Sequence, residues 1–193
     1  MQVEGGSFAS VLRRAWRDNA LFAVLVELTY RCNLDCVFCY NDLGLAGAPM
    51  TTPEWVKLQT LVGRWDGLAE EGGQKMPAAV EVRMTADGSA LMHILGKDTP
   101  HEMVTMFHPD GKRLLATHYC AAHNQPRMAL TAAPGANQLA FEFVDGTNIG
   151  PGDGYMGRLV LTFTDADHHE EAWTFRAGGK DGRAAIFRFA RQK

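Results

Sequence analysis

This sequence of 193 residues lacks long hydrophobic runs, a strong charge of either sign and dispersed cysteines. No stretch approaches the roughly 18–20 apolar residues that a membrane-spanning helix needs, so we expect no membrane contact. The formal net charge of −3 gives no electrostatic reason to expect a nucleic-acid partner. The sequence has four cysteines, three of them clustered, which does not suggest a disulfide framework and favours the reducing cytoplasm.

Familiar catalytic motifs are also missing. The sequence has no Ser-His-Asp arrangement, no phosphate-binding loop and no HExxH motif. Glu102 and Asp145 show no pairing signal that would make them a catalytic pair of carboxylates. We therefore predict no catalytic residue from the side chains alone.

The three clustered cysteines, Cys32, Cys36 and Cys39, have the spacing C-x3-C-x2-C, and the aromatic Phe38 precedes the third. Thiolates this close together can converge on one soft metal centre. The spacing alone leaves three alternatives open: an iron–sulfur cluster, free thiols, or a zinc site completed by Cys120 or a histidine.

The context of this loop resembles the radical SAM superfamily, most closely its peptide-maturase branch. The residues that carry the resemblance are Leu25–Cys32, the cysteine loop, Tyr40–Asp42 and Met50–Trp55. The resemblance implies a [4Fe-4S] cluster held by Cys32, Cys36 and Cys39, with S-adenosyl-L-methionine on the open iron and Phe38 beside its adenine.

The remaining chain is too short for a complete radical SAM barrel. A βα unit takes about 30 residues or more, and a barrel of about six such units does not fit. Gly72-Gly73-Gln74 resembles the family's Gly-Gly-Glu element but lacks the glutamate, so we interpret it as a turn. We therefore expect at most a weakly held cluster and no radical catalysis.

From Val62 onward, short alternating segments are separated by Gly, Pro, Asp and Asn, which is typical of antiparallel strands. Preceding them, Thr52 and Pro53 favour the start of a short helix that runs to about Leu61. The alternation predicts ten strands, at residues 62–69, 78–86, 89–95, 102–108, 112–120, 126–132, 137–144, 157–165, 169–176 and 183–191.

This second part resembles the lipocalin-like, or calycin, group. Gly63–Trp65 open the first strand and Phe187–Arg191 close the last, as in that group. The resemblance implies that Trp65 plugs the closed end of a barrel, with Arg188 or Arg191 packed over it. A bacterial lipocalin-like family of unassigned function is similar in further segments: Thr99–Met106, Thr117–Ala122, Asn124–Met128 and Phe143–Asn148.

A ligand site is expected inside this barrel, because small closed barrels can hold one ligand. The candidate ligand-binding residues are His93, His118, Cys120 and Arg127. His118 and Cys120 are two positions apart, so their side chains would share a face. If that face is inward, they could orient a polar ligand or hold a metal or haem, together with His93 from a nearby strand. The alternative is a hydrogen-bonded core histidine and a small apolar filler.

Two further interpretations complete the prediction. His168–Glu171 has metal-ligand residue types but follows a turn, so we interpret it as a solvated hairpin tip. The chain divides into a truncated radical SAM-like arm, residues 1–53, and a mainly-β, ten-stranded antiparallel barrel, residues 54–193. The predicted function is binding of a small apolar or amphipathic ligand; the alternative is a radical SAM enzyme.

Overall fold

The computed structural model describes residues 52–132 and 135–193. These residues form a short α-helix and ten antiparallel strands that close into a barrel, in which each strand pairs with its sequence neighbours and β1 pairs with β10. The elements are α1 (Pro53–Gln59), β1 (Gly63–Glu71), β2 (Gln74–Thr85), β3 (Ala90–Leu95), β4 (Met103–Asp110), β5 (Arg113–Tyr119), β6 (Gln125–Thr131), β7 (Gln138–Thr147), β8 (Gly154–Phe163), β9 (His168–Ala177) and β10 (Lys180–Arg191).

The prediction of a mainly-β, ten-stranded antiparallel barrel is confirmed, and every predicted strand is present. The largest difference lies at the start of β2, which begins at Gln74 rather than at residue 78. Pro77 lies in this added part of β2, although proline has no N–H to donate to a neighbouring strand. It pairs with Leu68 of β1, and it is tolerated because the pairing of β2 with β3 starts only at Val80, so one edge of the strand is open at Pro77.

Gly72 and Gly73 form the turn between β1 and β2, as predicted. Their φ angles are +58° and +85°, in the left-handed region that residues with a Cβ rarely adopt. A Cβ added at either position would meet no atom within 4 Å. The backbone conformation, rather than crowding, is therefore what requires glycine here.

The helix α1 begins as predicted. Thr52 lies in the extended region, and its side chain accepts a hydrogen bond from the Trp55 backbone N–H at 3.2 Å, which caps the helix. Pro53 occupies the first turn, where its missing N–H costs nothing. Trp55 and Leu58 are buried in the same apolar cluster as the strands, so the helix covers one end of the barrel. We call this end the closed end.

Trp65 fills the interior at the closed end and is fully buried. Its indole N–H donates to the backbone oxygen of Leu61 at 2.8 Å, and the Arg191 guanidinium lies 4.0 Å from the centre of its ring. These contacts confirm the prediction that Trp65 plugs the closed end, and they show that Arg191, rather than Arg188, packs over it. The side chain of Arg188 instead forms ion pairs with Glu70 and Glu170 on the outer surface, each at 3.0 Å.

The opposite end, which we call the open end, is formed by the β1–β2 hairpin, the β3–β4 loop and the start of β10. Inward-facing residues of β2 become progressively exposed toward this end: Val80 is buried, Ala78 is half-buried and Met76 is exposed. Within residues 52–132 and 135–193, no helix is both long enough and apolar enough to cross a lipid bilayer.

Candidate functional site

Three neighbouring strands place polar side chains in one row on the inner wall. His93 on β3 lies opposite Thr105 on β4, and Thr105 lies opposite His118 on β5. Residues directly opposite on antiparallel strands share a face, so all three side chains point into the barrel. Each of them is at most 2% exposed.

Strand β9 supplies a second polar wall through its alternation. His169, Glu171 and Trp173 are two residues apart and all are buried. One oxygen of the Glu171 carboxylate, Oε1, lies 2.8 Å from His93 Nε2 and 3.1 Å from His169 Nε2. The other oxygen, Oε2, accepts a hydrogen bond of 2.9 Å from the Trp173 indole.

These contacts keep Glu171 ionised in the interior. Burial alone would raise the pKa of its carboxyl group, but His93 and His169 lower that pKa by more, through their charge and hydrogen bonds. The net pKa lies well below the ordinary value of a glutamate. Both oxygens of this buried carboxylate have hydrogen-bond partners within the protein, so we assign Glu171 a structural role.

His118 is paired on one side only. Its Nδ1 lies 2.9 Å from the hydroxyl oxygen of Thr105, while its Nε2 has no hydrogen-bond partner among the described residues. Its ring is 4.7 Å from that of Trp173, centre to centre. Burial, reinforced by the charge of nearby His93, lowers the pKa of His118 from 6.5 to about 4, although Glu171 opposes the shift. His118 is therefore neutral at pH 7.

The ring of His118 lines a cavity of about 310 Å³ at the open end of the barrel. Trp173, whose indole N–H donates to Glu171, also lines it. The charged residues of the lining are Glu71 and Arg183. The remaining lining is apolar apart from the glycine: Leu95, Met103, Met156, Phe175, Gly182, Ala185 and Phe187.

Other buried polar atoms without a partner do not line this cavity. His169 Nδ1 is unpaired among the described residues, but its ring packs edge-on against Trp65 at 4.4 Å and beside Phe189 at 5.2 Å. Asn124 donates from its amide to the backbone oxygen of Gly154 at 2.8 Å and leaves its own oxygen unpaired. Of His118, His169 and Asn124, it is His118 whose side chain lines the cavity.

The four residues predicted to bind a ligand lie in different places. His118 lines the cavity, and His93 lies deeper, paired with Glu171. Cys120 follows the end of β5 and is half-buried, outside the cavity lining. Arg127 is exposed on the outer surface, where its Nε donates to Asp145 at 2.6 Å. The structure therefore brings His93 and His118 into one interior and leaves Cys120 and Arg127 apart from it.

The interpretation of His168–Glu171 as a solvated hairpin tip is wrong for half of its residues. His168 is exposed and contacts Asp165 at 2.9 Å, but His169 and Glu171 are buried in the barrel. The sequence contained the signal that separates them: Trp173 and Phe175 alternate inward, so His169 and Glu171 share their face. The predicted strand begins at residue 169, and the inward alternation extends to these first residues.

The predicted cluster residues Cys32, Cys36 and Cys39, together with Phe38, lie outside the described residues. Within the described part, no group of three or more His, Cys, Asp or Glu side chains is arranged to hold a metal ion.

No family model matches this chain. The structure is similar to that of Rv2717c from M. tuberculosis, with a TM-score of 0.53 and 14% sequence identity over 75% of this chain and all of that one. It is also similar to a protein of unknown function from the DUF3598 family of Nostoc punctiforme, with a TM-score of 0.50 and 11% identity over 70% of this chain and 49% of that one. These similarities support the β-barrel fold, and none of the comparisons supports the radical SAM resemblance.

Proposed function

We propose that the barrel binds a small, mainly apolar molecule in the cavity at its open end, with the polar group of that molecule at His118. The observation that carries this proposal is the buried side chain of His118, which lines an apolar cavity and whose Nε2 has no hydrogen-bond partner among the described residues. An unpaired buried polar atom costs roughly 1–3 kcal/mol, and a ligand that pairs with it recovers part of that cost.

The size and composition of the cavity fit this function. Its volume of about 310 Å³ lies at the lower end of the roughly 300–1,000 Å³ found for small-molecule pockets. An apolar lining with a few convergent polar groups is the usual design of such pockets, in which burial supplies affinity and the polar group fixes orientation.

Access from solvent supports the same proposal. A wider surface depression of about 860 Å³ shares five lining residues with the cavity. It runs from the exposed face of the β1–β2 hairpin past Gly96, Lys97 and Thr99 of the β3–β4 loop. An amphipathic molecule could enter along this route without opening the barrel. The shared residues are Glu71, Leu95, Met103, Ala185 and Phe187.

The test is a cavity-filling variant with a matched control. Ala185 lines the cavity and its neighbour Ala184 does not, so Ala185→Trp should fill the cavity while Ala184→Trp leaves it open. Isothermal titration with 2-acetylnaphthalene and 2-ethylnaphthalene should show binding to the wild type and to Ala184→Trp, with at least a tenfold loss in Ala185→Trp. Binding of neither probe to the wild type, or equal binding to both variants, would contradict the proposal.

The alternative function rests on the cysteine motif and remains a prediction from the sequence. Cys32, Cys36 and Cys39 would hold the [4Fe-4S] cluster, with Phe38 beside S-adenosyl-L-methionine. Anaerobic reconstitution with iron and sulfide tests the cluster, and uptake should be abolished in Cys36→Ala. Formation of 5′-deoxyadenosine after addition of S-adenosyl-L-methionine would make the chain an enzyme and overturn our preference.

A further inference from the structure

The contact between Thr105 and His118 determines what the cavity offers to a ligand. A threonine hydroxyl has one hydrogen to donate, and a neutral imidazole has one N–H and one acceptor nitrogen. The hydrogen bond of 2.9 Å between Thr105 Oγ1 and His118 Nδ1 can therefore run in either direction. In either direction, Nε2 takes the role that Nδ1 does not: it is the acceptor if Nδ1 donates and the donor if Nδ1 accepts. Nε2 is the ring nitrogen without a partner among the described residues.

Burial selects one direction. Thr105 is 1% exposed, and within the part of the chain that the structure describes its hydroxyl contacts no other hydrogen-bonding group. If Nδ1–H donated to Thr105, the hydroxyl hydrogen would be left without an acceptor among the described residues, at a cost of roughly 1–3 kcal/mol. If Thr105 donates to Nδ1, its hydrogen is used and the imidazole proton lies on Nε2.

The His118 ring also does not carry a proton on both nitrogens at pH 7. Its burial and the neighbouring charge of His93 lower the pKa of His118 to about 4, so one proton is bound at pH 7. A neutral ring with its proton on Nε2 has no lone pair there for a metal ion. Coordination of a metal or haem through this nitrogen would require the Thr105 hydrogen bond to reverse.

We infer that His118 presents an N–H donor to the cavity, and that the ligand is an uncharged, mainly apolar molecule carrying a carbonyl-type acceptor, such as a ketone or an ester. This inference rests on the proposed function and specifies its ligand. A bound anion would lose its hydration in the cavity and gain no countercharge from neutral His118. Glu71 and Arg183 also line the cavity and carry opposite charges, but both are exposed to solvent, where an ion pair contributes little.

The tautomer can be measured without any ligand. Long-range ¹H–¹⁵N correlation spectra of the histidine rings at pH 7, with His118→Phe to assign the signals, should show His118 protonated at Nε2 and unprotonated at Nδ1. Thr105→Ser keeps the hydroxyl and should leave this pattern unchanged, whereas Thr105→Val removes the donor and should shift protons toward Nδ1. A ring protonated at Nδ1 in the wild type would overturn the inference while leaving the cavity proposal intact.

The ligand class is tested with three probes of similar shape: 2-acetylnaphthalene, 2-ethylnaphthalene and 2-naphthoate. One neutral hydrogen bond should make the ketone bind roughly three- to tenfold more tightly than the hydrocarbon, and the carboxylate should bind most weakly. His118→Phe should bind both neutral probes with equal affinity. Equal affinity for both in the wild type would overturn the carbonyl assignment, and tightest binding of 2-naphthoate would show that the site selects anions.

Discussion

The closed and open halves of the barrel both bury polar side chains, but they differ in what those side chains contact. In the closed half, Arg191 covers Trp65, and both carboxylate oxygens of Glu171 have partners. In the open half, the side chain of His118 lines the cavity, and it has one partnered nitrogen and one without a partner among the described residues. Buried polar groups with complete partners support the fold, whereas an incompletely paired group beside open volume indicates where a ligand binds.

Glu171 gives the largest expected effect. Glu171→Ala leaves His93, His169 and the Trp173 indole without their acceptor, so the free energy of unfolding should fall by about 3–5 kcal/mol, measured by urea denaturation at pH 7. Glu170→Ala is the matched control: it removes an exposed ion pair with Arg188 and should cost no more than about 1 kcal/mol. Equal losses in the two variants would show that the carboxylate centre does not stabilise the closed half.

His118 gives the next effect, which depends on pH. Its pKa falls from 6.5 to about 4 on folding, so below pH 6.5 the unfolded chain takes up a proton that the folded chain does not. Its contribution is therefore complete above pH 6.5 and is lost progressively as pH falls, by about 3 kcal/mol over the whole interval.

The measurement is a series of urea titrations between pH 5 and 7, compared with the same series on His118→Phe. The variant should lose stability less steeply as pH falls. Glu171 acts in a different interval, because its depressed pKa means that its contribution is lost only as pH falls below the ordinary value of 4.5. Parallel pH profiles for the wild type and His118→Phe would contradict the burial of a neutral histidine.

Much of the fold could be predicted because it depends on local signals. Alternation of period two marks strands wherever they occur, and turns such as Gly72-Gly73 require a conformation that few other residues adopt. Ten successive strands with short turns pair most simply with their sequence neighbours, and the barrel follows from closing β1 onto β10.

The site was predicted only in part, because its key contacts join distant residues. His118 could be identified from its strand and residue type, but the partner of His93 is Glu171, 78 positions away. A sequence gives the face of a residue within its own strand, not which strand lies across the barrel. Arg127 illustrates the same limit, since it was a candidate as a polar residue of the barrel and lies on the outer surface with Asp145.

Substitution of Arg191 should give the smallest loss of stability, and it distinguishes most clearly the role of the closed half from that of the open half. Arg191→Ala removes the contact with Trp65 and three hydrogen bonds, to the backbone oxygens of Thr60, Val62 and Ala166, so the free energy of unfolding should fall by about 2 kcal/mol. Arg188→Ala, which removes only exposed ion pairs, should cost at most about 1 kcal/mol.

Arg191 does not line the cavity, so Arg191→Ala should bind 2-acetylnaphthalene and 2-ethylnaphthalene with wild-type preference while it remains folded. His118→Phe should show the converse. The preference should be lost, and stability at pH 7 should change little because the unpaired Nε2 is removed while the Thr105 hydroxyl loses its partner. If loss of Arg191 also removed the preference, the two ends would act as one unit. The unpaired nitrogen of His118 would then be insufficient to define a separate binding site.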